Sequence, residues 1–167
     1  RFVWRSDRFL GLEVGEWNRF VDLDGDGLVD LLGESPISLI RAWRNVGTRT
    51  APAFRLAADT LRDGEGMPIA ADRQNILNLV DIDCNGRLDL FLGRVTGTID
   101  RFEAVAGAQD GVPRFAIHTE RFEDIEILGN VPGQPSRLEM GGTRHGANTM
   151  AFGDIDDDGE SDLSWGD

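Results

Sequence analysis

Short apolar runs alternate along the whole chain with clusters of glycine, proline, asparagine and aspartate. The runs at 20–21, 31–32, 38–43 and 53–56 have the length of β-strands, and turn-forming residues separate them. No long segment keeps the apolar period of about 3.6 residues that marks an amphipathic helix. The pattern therefore predicts an all-β chain with few helices.

One acidic pattern occurs three times without gaps. The copies begin at Asp22, Asp81 and Asp154, and in each copy the ninth residue is again Asp and the tenth is Leu. A looser apolar repeat lies upstream of each copy, at 1–9, 53–61 and 114–122. Such repeats predict an array of similar units. One unit of four short strands has the size of a propeller blade.

The acidic copies have the residue types and the spacing of calcium-binding loops. Ca²⁺ takes about 6–8 oxygen ligands, and side chains at loop positions 1, 3, 5 and 9 can surround it together with the carbonyl of position 7. Glycine stands at position 6 of every loop, where a sharp turn needs its backbone freedom. Up to three Ca²⁺, one per loop, are therefore predicted. The predicted ligands are Asp22, Asp24, Asp26, Leu28 and Asp30; Asp81, Asp83, Asn85, Arg87 and Asp89; and Asp154, Asp156, Asp158, Glu160 and Asp162.

An EF-hand and a set of solvated turns without metal are the two alternatives to this interpretation. An EF-hand needs a bidentate glutamate at position 12, but that position is Gly33, Leu92 or Trp165. One turn rich in Asp and Gly would suit the metal-free alternative, whereas three copies with glycine in register favour the metal. The second loop has Asn85 in place of Asp, so it is predicted to be the weakest site.

Charge and composition narrow the function further. The formal net charge is −13, which argues against a nucleic-acid partner, since phosphates require stripes of Lys and Arg. Many of the acidic residues lie in the three short loops rather than evenly along the chain, which favours cation sites. No stretch approaches the roughly 18 apolar residues of a membrane-spanning helix. We therefore expect neither a nucleic-acid partner nor a membrane span.

Candidate catalytic groups are scarce. The single cysteine, Cys84, supports neither a disulfide framework nor a zinc site. The two histidines, His118 and His145, do not lie in a pattern that activates a nucleophile. We therefore predict no catalytic residue and no enzymatic activity for this chain.

The triplicated pattern Asp-x-Asp-x-Asp/Asn-Gly-x-x-Asp-Leu resembles the FG-GAP/VCBS repeat family, whose repeats form integrin-like β-propellers. Phe152-Gly153, directly before the third loop, is similar to the "FG" of the family name. The segment 44–48, followed by Pro52 and Phe54, is similar to the stretch between the third and fourth strands of a blade. The resemblance implies an incomplete β-propeller over 1–167, with about two full four-stranded blades and partial blades at both ends. The implied parts are the end of a preceding blade at 1–16, blades at 17–62 and 76–122, a long connecting loop at 123–149, and the start of the next blade at 150–167.

The resemblance also implies a role and a location. In the family, the Asp loop joins the first two strands of a blade and binds a structural Ca²⁺. We therefore expect a calcium-binding module of an extracellular, cell-surface or periplasmic protein, which presents loops to a protein or glycan in adhesion. The remaining blades of a longer chain would be its intramolecular partners. The alternative is the non-catalytic scaffold of a secreted polysaccharide-active enzyme, a lyase or hydrolase, whose catalytic residues lie elsewhere.

Overall fold

The computed structural model of the protein describes residues 2–36, 38–72, 77–125 and 149–166. Within these ranges the regular structure consists of β-strands and two short 3-10 turns, without an α-helix, so the all-β prediction is confirmed. Likewise, no helix in these ranges is long and apolar enough to cross a membrane. The connecting loop predicted at 123–149 falls almost entirely outside the described residues.

The strands form three antiparallel sheets, each with its strands in chain order. The first sheet contains β1 (Asn18–Val21), β2 (Asp30–Ser35), β3 (Leu39–Asn45) and β4 (Phe54–Ala58). The second contains β5 (Asn78–Val80), β6 (Asp89–Gly93), β7 (Ile99–Gln109) and β8 (Val112–Thr119). The third is a hairpin of β9 (Thr149–Gly153) and β10 (Asp162–Gly166).

The sheets pack against one another in the order in which the chain forms them. One buried cluster joins Leu32 and Ile40 of the first sheet to Leu90 and Phe102 of the second. Another joins Phe91 of the second sheet to the β9–β10 hairpin. Neighbouring side chains of a strand point to opposite faces of its sheet, which explains why Leu90 and Phe91 belong to different clusters. The second sheet is therefore the middle layer of three.

Residues at equivalent positions of the sequence repeat also pack in equivalent ways. Leu32 and Phe91 are each the second residue after the ninth-position aspartate, and each faces the sheet that follows in the chain. Leu31 and Leu90 are likewise equivalent, and they pair with Trp43 and Phe102 respectively. Equivalent positions thus have equivalent partners in the two four-stranded sheets.

Residues 2–16 form no strand, and their assignment to the end of a blade stays a prediction. Their regular structure is a 3-10 turn at Phe9–Gly11, in which Leu10 has a positive φ of 49°. The Phe9 ring lies 5.9 Å from that of Phe20 and 6.0 Å from that of Phe54. A strand needs a neighbour to satisfy its backbone groups. The equivalent strands β4 and β8 pair with β3 and β7. Residues 2–9 have no strand beside them among the described residues.

Truncation of Phe91 tests the contact between the second and third sheets. Its side chain is fully buried, and its ring lies 4.5 Å from Phe152 and 5.0 Å from Phe122. We expect Phe91→Ala to lower the free energy of unfolding by about 3–4 kcal/mol, the usual cost of emptying an aromatic core site. Denaturant unfolding measures this loss. Phe20→Ala, at a ring that is 52% exposed, is the control and should cost clearly less. Equal losses would contradict the layered packing.

Candidate metal sites

Each acidic loop lies at the bend of a hairpin. The loops connect β1 to β2, β5 to β6 and β9 to β10, and the ninth-position aspartates Asp30, Asp89 and Asp162 begin the second strand of each pair. Within the described part of the chain, carboxylates converge in all three loops, with ligand atoms that lie within 4.8 Å of one another. The converging residues are those at positions 1, 3 and 9, namely Asp22, Asp24 and Asp30; Asp81, Asp83 and Asp89; and Asp154, Asp156 and Asp162.

The first-position aspartate shapes each loop by accepting backbone N–H groups from positions 5 and 6. In the first loop, Asp22 Oδ2 accepts from Gly27 at 2.8 Å and Oδ1 accepts from Asp26 at 3.2 Å. The other loops repeat both bonds with their own residues. The N–H groups of Gly86 and Asn85 donate to Asp81 at 2.8 and 3.0 Å, and those of Gly159 and Asp158 donate to Asp154 at 3.0 and 3.0 Å.

The ninth-position aspartate ties the start of each loop to the following strand. Its Oδ2 accepts the N–H of position 2 in every loop. The donors are Leu23 to Asp30 at 3.0 Å, Ile82 to Asp89 at 3.1 Å and Ile155 to Asp162 at 2.8 Å. Because Asp30 and Asp89 have no exposed surface, this bond anchors the first two loops inside the protein.

Position 5 closes the turn of each loop, and its predicted role as a metal ligand stays a prediction. Asp26 and Asp158 are not among the converging carboxylates. One side-chain oxygen at position 5 accepts the N–H of position 7, from Leu28 to Asp26 at 2.8 Å, from Arg87 to Asn85 at 2.9 Å and from Glu160 to Asp158 at 2.8 Å. Asn85 performs this turn-closing role as well as an aspartate does, because its amide oxygen is the acceptor.

Two loop positions require a left-handed backbone. At position 6, Gly27, Gly86 and Gly159 have φ of 83°, 82° and 87°, and a Cβ there would meet nothing within 4 Å. Glycine is therefore needed for its backbone freedom rather than for space. The second such position is position 4, which holds a non-glycine residue in two of the loops and was not predicted from the sequence. Its residues are Gly25, Cys84 and Asp157, with φ of 75°, 55° and 64°.

Two strand arginines contact the acidic loops, and neither was predicted from the sequence. Arg44 on β3 bonds to Asp26 Oδ2 at 2.9 Å and is also ion-paired with Asp24. Arg101 on β7 bonds to Asp83 Oδ2 at 2.6 Å and to Asp89 Oδ1 at 2.9 Å. A cation thus already approaches the first two clusters from a neighbouring strand.

Burial and these arginines shift the pKa values of the loop carboxyl groups in opposite directions. Burial raises the pKa of Asp30 above its ordinary value, against the opposing N–H bonds from Asn45 and Leu23. The hydrogen bond from Arg101 lowers the pKa of Asp83. A lowered carboxyl pKa contributes stability above the unfolded value of about 3.9 and loses it as the pH falls further. The raised pKa of Asp30 has the opposite sign, so its ionisation costs stability above that value.

The converging atoms could hold a metal ion. Two oxygens on opposite sides of an ion at a bond length of about 2.4 Å lie about 4.8 Å apart, so atoms that all lie within 4.8 Å of one another are close enough to share one ion. Every converging group is a carboxylate, a hard ligand that suits hard cations better than zinc or copper. Cys84 is exposed and is not one of the converging residues. The residues therefore fit an oxygen-coordinated cation.

Replacing the position 6 glycine tests the loop geometry. We expect Gly27→Ala to lower the free energy of unfolding by about 1–2 kcal/mol, because a Cβ disfavours its left-handed backbone. Gly153→Ala is the control, since Gly153 lies in β9 without a positive φ and with no atom within 4 Å of a built Cβ. That control should be neutral or stabilising in thermal unfolding. A neutral Gly27→Ala would contradict the turn described here.

The repeated loop geometry is the basis for assigning a function to this chain. No protein-family model, curated protein or solved structure matches this chain. The three loops nevertheless resemble one another, since each has the same four hydrogen bonds from backbone N–H groups to its acidic or amide side chains. Each also has the same converging positions. A geometry that recurs three times in one chain is unlike a chance grouping of surface acids.

Proposed function

We propose that this chain is a calcium-binding module in which each acidic loop holds one structural Ca²⁺. The observation that carries the proposal is the convergence of the carboxylates at positions 1, 3 and 9 within 4.8 Å in all three loops of the described chain. Ca²⁺ accepts flexible shells of carboxylate, carbonyl and water oxygens, whereas Mg²⁺ demands a near-ideal octahedron and retains several waters. An acidic loop at an exposed hairpin bend suits the first ion better.

The bound ion would act on stability rather than on chemistry. Its ligands come from the loop and from the first residue of the following strand, so one ion fixes both ends of a hairpin bend. A ligand that binds only the folded state stabilises it by RT ln(1 + [L]/Kd), about 2.7 kcal/mol at a concentration one hundred times the Kd. Neutralising the clustered carboxylates adds to the effect, because their mutual repulsion opposes folding.

The module is proposed to be a segment of a β-propeller of the FG-GAP/VCBS type. Support comes from four-stranded antiparallel sheets that stack in chain order, with Leu32 and Phe91 in equivalent roles. The second sheet packs against the first through the face that carries Leu90 and Phe102. The first sheet has an equivalent face on its other side. Leu31 and Trp43 on this face match Leu90 and Phe102, and Phe20 beside them is 52% exposed. Further blades of the same kind are therefore the proposed intramolecular partners.

The proposed setting is extracellular, at the cell surface or in the periplasm, with the loops offered to a protein or glycan. Extracellular modules can use weak calcium sites, with a Kd of about 10⁻⁴ to 10⁻³ M, because the ion is plentiful there. A cavity of about 690 Å³ opens between the first and second loops and is lined by Asp24, Asp81, Arg87 and Val105 among others. Its walls combine carboxylates and an arginine with small apolar side chains, so it offers a ligand both charged groups and apolar surface.

Removal of one ligand tests the calcium role in the third loop. We expect Asp156→Ala to reduce the calorimetric stoichiometry from three Ca²⁺ to two, and to lower the Tm in calcium by about 5 °C. In a chelator the Tm should not fall, because the substitution removes a repelling carboxylate. Asp157→Gly is the matched control: it removes the neighbouring charge at a residue that is not among the converging carboxylates, and it reproduces Gly25 of the first loop. Unchanged stoichiometry in Asp156→Ala would refute the site.

The second loop is expected to bind Ca²⁺ most weakly of the three. It has Asn85 in place of the aspartate at position 5, and the Asn85 amide nitrogen donates to Glu103 at 3.0 Å. Isothermal titration of variants that retain one loop each gives the three affinities separately. Equal or tighter binding at the second loop would show that charge count does not set the order.

A further inference from the structure

Arg44 reaches into the first acidic cluster from the neighbouring strand. Its Nη2 is 2.9 Å from Asp26 Oδ2 and is ion-paired with Asp24, and its Nε is 3.4 Å from Asp30 Oδ1. The side chain is only 13% exposed. Gly111, at the tip of the β7–β8 hairpin, covers it so closely that a Cβ there would overlap Arg44 Nη1. The guanidinium is thus enclosed between the cluster and the hairpin.

Arg101 occupies the corresponding place in the second cluster. It donates two hydrogen bonds to Asp89, from Nε to Oδ1 at 2.9 Å and from Nη2 to Oδ2 at 3.1 Å, and Nη2 also donates to Asp83 at 2.6 Å. Its side chain is 10% exposed. This two-pronged pairing is the strong geometry of arginine with a carboxylate. It gives the fully buried Asp89 a counter-ion inside the protein.

The two arginines arrive from different positions in their sheets. Arg44 directly follows Trp43, the partner of Leu31, so its place on β3 is beside Asp30. The equivalent residue of the second sheet is Glu103, the partner of Asp89, whereas Arg101 pairs with Phe91. Repetition of a common ancestral unit does not explain why an arginine contacts both clusters, because the position equivalent to Arg44 is Glu103. Both guanidinium groups nevertheless reach the aspartates at positions 3 and 9.

The third cluster differs from the other two. Among the described residues, no arginine, lysine or histidine is ion-paired with Asp154, Asp156 or Asp162. Asp154 and Asp156 are exposed, and Asp162 is half-buried. The carboxylates at loop positions 1, 3, 5 and 9 number four in this loop and four in the first, but in the first loop Arg44 offsets one of the charges.

We propose that Arg44 and Arg101 are internal cations that hold the first two loops folded without calcium and oppose its binding there. The inference rests on the proposed calcium function and concerns its regulation. With a guanidinium already paired to ligand carboxylates, an incoming Ca²⁺ meets a positive charge and must compete for the same groups. Among the described residues no such cation contacts the third loop, so this loop is expected to bind Ca²⁺ most tightly and to depend on it most. The affinity order is therefore third, first and second.

The size of the effect follows from Coulomb repulsion. A unit charge and a divalent ion roughly 6 Å apart in a water-like medium repel enough to weaken binding about tenfold. Removing the guanidinium should relieve this repulsion and should also leave the buried Asp30 without its counter-ion, which is destabilising until calcium binds. Removal of the guanidinium is therefore expected to strengthen Ca²⁺ binding and to lower stability without Ca²⁺. The two effects together distinguish an arginine that competes with the ion from one that only orients the ligands.

The test uses Arg44→Gln in the full chain, in a background of Asp83→Ala and Asp156→Ala that leaves only the first loop complete. We expect about tenfold tighter Ca²⁺ binding by calorimetry and a Tm in chelator lower by roughly 5 °C. Arg44→Lys keeps the charge, and because the repulsion depends on that charge this variant should bind Ca²⁺ within about twofold of its parent. Arg41→Gln is the matched control, since Arg41 lies on the same strand but is ion-paired with Asp59, at 2.7 Å. It should leave calcium affinity unchanged.

Weaker Ca²⁺ binding by Arg44→Gln would overturn the inference, because the arginine would then orient the ligands rather than compete with the ion. Unchanged affinity would also overturn it. So would failure of both Arg44→Gln and Arg101→Gln to fold at saturating calcium, since the ion would then not replace the guanidinium. If the unsubstituted chain binds no Ca²⁺ at all, the proposed function fails together with the inference. If it binds Ca²⁺ and only the Arg44 effect is absent, the inference alone fails.

Discussion

Repulsion among carboxylates at a hairpin bend is the constraint on which this fold depends. Three carboxylates with atoms within 4.8 Å of one another oppose the bend that brings them together. For Asp30 and Asp89, loss of hydration adds to the cost, because both side chains are fully buried. Backbone N–H groups offset part of it, and a nearby positive charge offsets more. The stability of the hairpin therefore depends on how far backbone donors and nearby positive charge compensate for its acids.

The same residues connect the loop to the packing of the sheets. Asp30 begins β2, and the next two residues, Leu31 and Leu32, point to opposite faces of the first sheet. Leu32 enters the core shared with the second sheet, and Phe91 enters the next core in the same way. Whatever neutralises the ninth-position aspartate therefore also fixes the start of the strand from which both sheet faces are packed. Loop electrostatics and core packing are coupled through one residue.

Local patterns predicted the local structure well. Alternating apolar runs and turn residues located the strands, and the position 6 glycines located the left-handed bend, because both depend on residues close in sequence. Position 5 was interpreted as a direct ligand, which stays a prediction, and the bond by which Asp26 and Asp158 also accept the backbone N–H of position 7 was not foreseen. The left-handed backbone at Cys84 was missed because cysteine carries no signal for it. The arginines could not be found, since Arg44 and Arg101 approach from strands whose register the sequence does not reveal.

The three loops together separate what is constant from what varies. The backbone bonds to the first- and ninth-position aspartates are the same in each loop, so the shape of the bend is fixed by the acidic residues themselves. The compensating charge is not constant, since Arg44 and Arg101 come from non-equivalent strand positions and the described residues offer no counterpart in the third loop. The physical requirement is therefore a positive charge at a given place, and the chain meets it by different means. Such a repeat can keep one fold while each loop acquires its own dependence on a cation.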